Sequence, residues 1–244
     1  TQNDDQLVFN LENPGRFIGL GKTSSEKWIT IDIHDHQTNQ SFLLDATLAD
    51  LTPLPVTDWI EGLEYEVEEF NSYLIIRGNH DHEDFALYRA PTPNISRPSN
   101  PDSWTILWVP TEGSVFSDYE VLKNHWIIEY SEEGCGRYLI AEPDPVTFRI
   151  RQELDLQTSI HDAHLDPLPG FDRETIRMQI STPASPPEVT EIDLRSGKSR
   201  QLKISVPPNG HDSANYIVKR HYGVSGDGQL VPLTIVHHKD VVPN

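Results

Sequence analysis

The sequence predicts an all-β protein, a partial β-propeller followed by a C-terminal hairpin. A pair of strands recurs about every 45 to 50 residues, and Pro, Gly, Asn and Asp separate short apolar runs. No stretch of eleven or more residues carries a convincing apolar period of 3.6, which amphipathic helices require. A repeat of this length, made of strand pairs without helices, is typical of propeller blades.

The clearest copy of the repeat covers residues 28–45. Apolar side chains alternate from Trp28 to Ile33, a polar tip follows at 34–40, and a second apolar strand leads to Asp45. Alternation with period two on both sides of a polar tip predicts a β-hairpin.

Three further copies follow in order. Tyr73 stands 45 residues after Trp28, Trp126 stands 53 residues after Tyr73, and Ile176 stands 49 residues after Ile127. The second copy has its polar tip at 79–84, and the fourth has a proline-rich tip at 183–187. Each copy is predicted to be the central hairpin of one blade, and we number these blades I to IV.

Shorter apolar runs supply the remaining strands of residues 1–208. Residues 7–9 are expected to be the outer strand of a preceding blade, and the proline-rich segment 91–102 is expected to be a loop. The other predicted strands are 16–21 in blade I, 64–70 in blade II, 104–109, 115–122 and 148–154 in blade III, and 160–165 and 199–204 in blade IV. After Pro208 the repeat stops. Residues 215–222 and 229–238 then predict a longer hairpin, so we treat 209–244 as a separate part of the chain.

The charge balance limits the classes of partner. The chain carries 19 basic and 38 acidic residues, a formal net charge of −19. Such a surface repels phosphate backbones and anionic membranes, so neither nucleic acid nor membrane is an expected partner. It fits attraction of cationic ligands, although an acidic surface with no ligand role remains an alternative. The sequence contains no apolar run of eighteen residues. The single Cys135 predicts neither a disulfide framework nor a cysteine metal cluster, and it favours a reducing, cytoplasmic location.

Several segments, in chain order, resemble one known family. The resemblance lies in residues 21–26, 41–46, 71–78, 85–89 and 191–197, then Asp-Ser-Ala-Asn-Tyr at 212–216, Arg-His-Tyr at 220–222, the Gly-Asp-Gly turn and residues 230–239. They are similar to propeller blades, and to the path out of the propeller, in the oligopeptidase B branch of the prolyl oligopeptidase family of serine peptidases. None of these segments carries a catalytic motif.

The resemblance implies a seven-bladed propeller that covers an α/β-hydrolase domain, in a parent enzyme that cuts short peptides. If the parent follows the oligopeptidase B branch, it cuts after Arg or Lys. This chain would hold about four of the seven blades and the first strands of the hydrolase. Its implied partners are the hydrolase domain of the same parent chain and short peptides, including basic ones. Because the chain begins at Thr1 without an initiator Met and stops at Asn244, we expect it to be a piece of a longer protein.

No catalytic or cofactor-binding residue is predicted in this segment. A serine hydrolase of this kind needs a Gly-x-Ser-x-Gly turn between a strand and a helix, and the sequence contains none. Residues 223–227, Gly-Val-Ser-Gly-Asp, come nearest, but Asp227 replaces the last glycine and no helical pattern follows. Ser225 is therefore interpreted as part of a hairpin turn.

Histidine patterns suggest metal binding but do not complete a site. His34 and His36 flank Asp35, His80 and His82 flank Asp81, and residues i and i+2 of a strand share a face. Both triplets lie at hairpin tips, where polar residues are common, and no third or fourth ligand comes from fixed strands. We therefore predict no metal site at the triplets. The pairs His161 with His164 and His237 with His238 are weaker candidates.

Two further patterns have a structural and a functional interpretation. The acidic run 61–69 could meet a cationic peptide at the propeller mouth, or it could be a half-exposed strand in which Glu64, Glu66 and Glu68 alternate with Tyr65 and Val67. The five tryptophans, at 28, 59, 104, 108 and 126, are predicted to lie in the core between blades.

These observations leave more than one functional hypothesis. The first is a non-catalytic propeller segment that gates access of short peptides to a hydrolase domain. The second is a free-standing, propeller-like binding module, and the third, an enzyme complete in 244 residues, lacks a nucleophile and base. If the segment folds alone, exposed blade edges predict self-association.

Overall fold

A computed structural model describes residues 6–48, 51–93, 98–158 and 160–242. Within them, four antiparallel sheets of four strands and one sheet of two strands form an all-β structure. Each four-stranded sheet pairs its strands in chain order, as a propeller blade does. The four blades form an arc that does not close, so the predicted partial propeller with a C-terminal hairpin is confirmed. Of the predicted segments, residues 1–5, 94–97 and 243–244 lie outside the described ranges.

The strand boundaries are as follows. Blade I contains β1 (Phe17–Lys22), β2 (Trp28–His34), β3 (Asn39–Asp45) and β4 (Leu54–Pro55); blade II contains β5 (Tyr65–Phe70), β6 (Tyr73–Gly78), β7 (Ala86–Pro91) and β8 (Thr105–Trp108); blade III contains β9 (Ser114–Val121), β10 (Trp126–Glu132), β11 (Cys135–Ala141) and β12 (Ile150–Glu153); blade IV contains β13 (Asp162–Asp166), β14 (Thr175–Thr182), β15 (Ser185–Asp193) and β16 (Ser199–Ile204); the hairpin contains β17 (Tyr216–Val224) and β18 (Leu230–His238).

The sequence repeat corresponds to the second and third strands of each blade. β2, β6 and β10 begin at Trp28, Tyr73 and Trp126, the residues that mark the repeat. Trp28 pairs with Asp45 at the open end of the first hairpin, and Tyr73 pairs with Pro91 in the second. The four predicted central hairpins are therefore confirmed.

The predicted strand at residues 7–9 is wrong. Residues 6–16 form no strand, and Phe9 instead packs its ring on Phe42 of β3, with 5.0 Å between centroids. The turn-forming run Asn13-Pro14-Gly15 separates this segment from β1, and the segment pairs with no described strand.

The assignment of residues 104–109 to blade III is wrong. Residues 105–108 form the outer strand of blade II. Their pairing with β7 places Trp108 opposite Leu87 and Thr105 opposite Arg89. The ring of Trp108 nevertheless packs on Phe116 of blade III, 5.2 Å between centroids. This side chain belongs to one blade and touches the next, which explains why the sequence pattern was ambiguous.

The proline-rich tip predicted at 183–187 is shorter than expected. Only Pro183 and Ala184 form the turn, because Thr182 already pairs with Ser185 and β15 includes the two following prolines. A register shift after Ile180 accommodates this start of the strand.

Three apolar clusters fill the spaces between consecutive blades. Between blades I and II, Trp28 and Leu43 pack with Leu74. Between blades II and III, Ile75 packs with Trp126. The cluster between blades III and IV includes Tyr138, Ile140, Ile176 and Met178. Burial of these side chains between sheets is the main favourable term in holding the arc together.

The prediction that all five tryptophans lie in the core holds for four of them. Trp28, Trp104 and Trp126 are buried, and Trp108 packs at the edge of a cluster. Trp59 lies outside the clusters, half-buried in the loop before β5, with the guanidinium carbon of Arg16 3.4 Å from its ring centroid. A cation–π contact with a neighbouring loop takes the place of inter-blade packing there.

Every blade has the same two sides. The turns between second and third strands, at 35–38, 79–85, 133–134 and 183–184, lie on what we call the tip side. The connections between first and second strands lie at the opposite ends of the strands, on what we call the far side. The C-terminal hairpin approaches the tip side, where Tyr222 donates a hydrogen bond of 2.7 Å to Glu133.

The two ends of the arc present different surfaces. At the blade I end, Leu20 and Ile18 of β1 are 78% and 50% exposed. At the blade IV end, the outward face carries a ladder of charges in which Glu191 lies 3.8 Å from Arg177 and 2.7 Å from Arg200. One end of the arc is therefore apolar and the other is charged.

Candidate functional site

The first strands of blades II and III, β5 and β9, approach each other at the inner edge of the arc, and several of their side chains there are acidic. Tyr119 of β9 reaches blade II, where its hydroxyl donates a hydrogen bond of 2.8 Å to the carbonyl of Ile75. We call the following set the acidic inner edge: Glu66 and Glu68 on β5, Asp118 and Glu120 on β9, and Glu129 on β10.

Glu68 lies where three blades converge. Its carboxylate accepts hydrogen bonds from the amide and hydroxyl of Ser24 in blade I, at 2.8 and 2.9 Å, while Glu120 of blade III repels its charge. Burial is the main cause that raises the pKa of Glu68, to about 7, against the lowering effect of the Ser24 hydrogen bonds. This carboxyl therefore changes charge near neutral pH.

Like charges also face each other within blade III. Asp118 of β9 pairs directly with Glu129 of β10, next to a register shift between Glu129 and Tyr130. Burial raises the pKa of Glu129, and the charge of Asp118 raises it further. Opposed like charges on paired strands are destabilising, so the pairing of Asp118 with Glu129 carries an electrostatic cost.

Arg77 is the main cation at this edge. It donates two hydrogen bonds to the carbonyl of Phe116, of 3.1 Å from Nε and 2.9 Å from Nη2, and its guanidinium carbon lies 4.0 Å from the ring centroid of Phe85. Its Nη1 lies 3.8 Å from the carboxylate of Glu66. Glu66 is exposed to solvent, yet desolvation by the surrounding protein raises its pKa, and the charge of Arg77 lowers it in part. Arg77 thus links blade II to blade III.

A cavity of about 470 Å³ opens between blades I and II toward the tip side. Its lining includes Asp32 from blade I and Glu64, Glu66, Arg77 and Phe85 from blade II, where Glu66 pairs directly with Arg77. The hydroxyls of Ser41 and Thr30 donate hydrogen bonds of 2.6 and 3.2 Å to the Asp32 carboxylate and hold it in place. The space and the charge suit a cationic side chain.

The two interpretations of the acidic run 61–69 both describe part of it. The strand pattern is confirmed, since Tyr65 is buried while Glu64 and Glu66 are exposed. Glu68 and Glu69 depart from it. Glu69 is only 4% exposed and lies 3.3 Å from Lys27 Nζ in blade I. The run therefore contributes both to the packing of blades and to the acidic inner edge.

The two His-Asp-His triplets lie on hairpin tips, as predicted. His34 stacks on Phe17 with 5.6 Å between centroids, and His80 Nε2 lies 3.4 Å from a carboxylate oxygen of Asp102. Within the described ranges, no three His, Cys, Asp or Glu side chains are grouped so that they could hold a metal ion.

The other histidines have separate settings. Both ring nitrogens of His161 face backbone carbonyls, those of Thr158 at 2.9 Å and Gly136 at 2.8 Å, while His164 is exposed on β13. His237 and His238 end β18. In the part of the chain that the structure describes, no helix is long and apolar enough to cross a membrane.

Ser225 lies in the turn between β17 and β18, as predicted. Its hydroxyl donates a hydrogen bond to Asp227 and lies 3.1 Å from the carbonyl of Gln229. Strand β18 follows this turn, whereas a nucleophile turn of the hydrolase type leads into a helix.

Sequence reasoning missed the blade III contribution to the acidic inner edge. Asp118 and Glu120 flank Tyr119, so a pattern like that of Glu64 to Glu68 was present in the sequence. Nothing in that pattern shows which face of β9 meets β5, because the meeting depends on packing between blades.

Comparisons with known proteins agree with this architecture. Residues 1–205 match the family model described as prolyl oligopeptidase, N-terminal beta-propeller domain. The chain is 23% identical over 241 residues to dipeptidyl aminopeptidase BI of Pseudoxanthomonas mexicana, an alignment that covers 97% of this chain and 32% of that protein. It is 24% identical to the prolyl endopeptidase-like protein of Xenopus laevis, with 95% and 32% covered.

Solved structures show the same fold. Oligopeptidase B from Leishmania major superposes with a TM-score of 0.83 at 23% identity, over 98% of this chain and 34% of that one. Oligopeptidase B from Trypanosoma brucei gives 0.83 at 22% identity, over 99% and 35%. This chain spans about a third of the length of the relatives that it matches. It belongs to the prolyl oligopeptidase family, whose N-terminal propeller domain it matches over residues 1–205.

Proposed function

We propose that this chain is the non-catalytic propeller segment of a serine oligopeptidase and that it gates access of short peptides to a hydrolase domain of the same parent chain. Family membership supports the peptidase context. The observation that carries the proposal is the hairpin of β17 and β18, which pairs with no described strand of any blade. We call it the exit hairpin.

The exit hairpin exposes apolar side chains on both of its faces. Val224 and Leu230, which pair with each other, are 72% and 67% exposed, and Val231 and Leu233 on the opposite face are also exposed. An apolar surface of this kind is normally covered by further protein. A strand that closed a propeller ring would pair with a blade. We therefore propose that residues 209–244 lead into the hydrolase domain.

In this proposal the propeller and the hydrolase domain have different roles. The hydrolase would supply the nucleophile, the base and the oxyanion hole, and the blades would exclude folded proteins by their bulk. The chain covers about a third of its relatives, so the peptidase activity is proposed for the parent protein and not for this segment.

The acidic inner edge supports a preference for cationic peptides. Its carboxylates lie in a partly enclosed space beside the cavity near Asp32, where charge of one sign raises the local concentration of opposite charge. Basic short peptides are therefore the proposed substrates. We place the parent in a reducing, cytoplasmic compartment, as expected from the single cysteine of this segment.

The gating role can be tested on the native parent protein, isolated with an antibody against this segment. Substrates would share one cleavable bond after Arg and increase in length, ending with a folded protein that carries the same bond in a surface loop. We expect cleavage to fall steeply with length and to vanish for the folded protein. Equal cleavage of the short peptide and the folded protein would contradict gating.

The alternative is a free-standing binding module. Such a module would bind peptides at the acidic inner edge without a hydrolase domain. A binding partner would then cover the exit hairpin. An isolated native protein that binds the basic peptides and cleaves none of them would favour this alternative.

A further inference from the structure

The connection between β13 and β14 in blade IV is longer than its counterparts. It spans residues 167–174, eight residues, whereas the corresponding connections are 23–27 in blade I, 71–72 in blade II and 122–125 in blade III. We call residues 167–174 the strap. All four connections lie on the far side of the blades.

The strap reaches across blade III to touch blade II. The ring of Phe171 lies 6.4 Å from that of Phe70, at the far end of β5, although blades II and IV are not neighbours. The carbonyl of the same residue accepts a hydrogen bond of 2.9 Å from the amide of Lys123 in blade III. One residue of blade IV therefore contacts both preceding blades, which places the strap across the far ends of their inner strands.

An ion pair fastens the strap to the acidic inner edge. Arg173 pairs with Glu120 of β9, and its Nη1 also donates to the strap carbonyls of Leu168 and Gly170, at 2.9 and 3.0 Å. The Arg173 side chain is only 13% exposed. A charge pair with this little solvent contact is screened much less than a surface pair.

The end of the strap has a second attachment. Glu174 accepts a hydrogen bond of 2.6 Å from Asn124 Nδ2, and its other oxygen lies 2.8 Å from His125 Nε2 in blade III. Arg195, an exposed residue of blade IV, lies 3.6 Å from the same carboxylate. The strap is thus held at its middle and at its end.

A shallow cavity of about 570 Å³ marks the opening that the strap borders. Its lining comes from the far side of all four blades and includes Ser25, Asn71, Lys123 and Phe171. The far ends of the inner strands therefore border an opening, and among the described connections between first and second strands the strap is the longest.

We propose that the strap closes this opening across blades II to IV, so that peptides reach the acidic inner edge only from the tip side. The proposal deepens the gating function and rests on it. The strap, pinned by Arg173, would be the part of the gate that prevents an extended chain from passing between the blades to the far side. It would thereby limit the length of peptide accepted.

The test uses the whole parent protein with Arg173→Ala and, as a second way to cut the same ion pair, Glu120→Gln. Arg200→Ala is the matched control, because it removes an exposed arginine of the same blade that pairs with Glu191 and not with the strap. Hydrogen exchange at the Lys123 amide reports contact with Phe171. We expect exchange to rise about tenfold in both strap variants and to stay unchanged in the control.

The second measurement is the ratio of cleavage rates for a long and a short basic peptide with the same bond. The strap variants should raise this ratio severalfold over the control. If hydrogen exchange at Lys123 rises in the strap variants and the cleavage ratio does not, the strap is not a length filter. If exchange stays at the control value in both variants, Arg173 does not hold the strap closed. Either result overturns the proposal. Exchange needs no peptidase activity, so a parent protein that cleaves nothing refutes the proposed function separately.

Discussion

Glu68 of blade II and Ser24 of blade I are joined by two hydrogen bonds, from the serine amide at 2.8 Å and from its hydroxyl at 2.9 Å. These bonds favour the charged carboxylate, yet burial outweighs them and raises its pKa to about 7. The acidic inner edge therefore contains a carboxyl whose ionised form is disfavoured by burial.

This balance predicts that stability falls as pH rises from about 4.5 to about 7. Between these pH values the Glu68 carboxyl is protonated in the folded state and ionised in the unfolded state, so the free energy of unfolding decreases as pH rises. Above about pH 7 the carboxyl is ionised in both states, and the contribution of Glu68 no longer changes with pH. The full difference corresponds to roughly 3 kcal/mol at most. Glu68→Gln should reduce this slope, measured by urea unfolding at a series of pH values, and Glu66 and Glu129 should account for the remainder.

Glu112→Gln is the control for this prediction, because Glu112 is exposed in the loop before β9. The control should keep the slope of the unaltered protein. A slope that is the same in Glu68→Gln and in the unaltered protein would show that Glu68 is not the responsible group.

Arg77→Ala should destabilise the fold by about 2–3 kcal/mol, because it removes two charge-assisted hydrogen bonds to the buried edge of blade III. Arg200→Ala removes an exposed ion pair with Glu191 and should cost less than about 0.5 kcal/mol. Urea unfolding followed by tryptophan fluorescence measures both. Equal losses would mean that Arg77 does not link the blades.

The exit hairpin covers Cys135, since Arg220 Nη2 lies 3.1 Å from its sulfur and the residue is only 3% exposed. We expect Arg220→Ala to raise the rate at which a thiol reagent modifies Cys135 under native conditions. Lys219→Ala, an exposed cation on the opposite face of β17, should leave the rate unchanged. If both variants react at the original rate, blade III alone protects the thiol.

The isolated chain should self-associate through its apolar end. Leu20 is 78% exposed on β1, whereas the blade IV end is charged. Leu20→Lys should therefore shift the concentration-dependent sedimentation of the isolated chain toward monomer. Leu202→Lys, on the outer strand of blade IV, should not. A monodisperse monomer at high concentration before any substitution would rule this out.

The blades could be predicted from the sequence because their signal is local. Trp28, Tyr73 and Trp126 open the same alternating pattern, and each hairpin closes within a few residues of its own chain. The outer strand at 105–108 was assigned to the wrong blade because it is short and because Trp108 packs against both candidates.

The inner edge and the strap could not be predicted in the same way. Glu68 and Glu120 stand 52 residues apart, and only the packing of blade II on blade III brings their charges together. Phe171 lies in a loop without any apolar period, so nothing local indicates that its ring reaches Phe70. Contacts between blades, not patterns within strands, build the candidate site.

We propose that this chain is part of the propeller of a serine peptidase. The most direct test isolates the native protein with an antibody to this segment, weighs it intact and treats it with a fluorophosphonate probe, which labels activated serines. We predict a mass far above the 27.7 kDa of this chain and one labelled serine outside residues 1–244. An unlabelled protein near 27.7 kDa would contradict the account and favour the free-standing binding module.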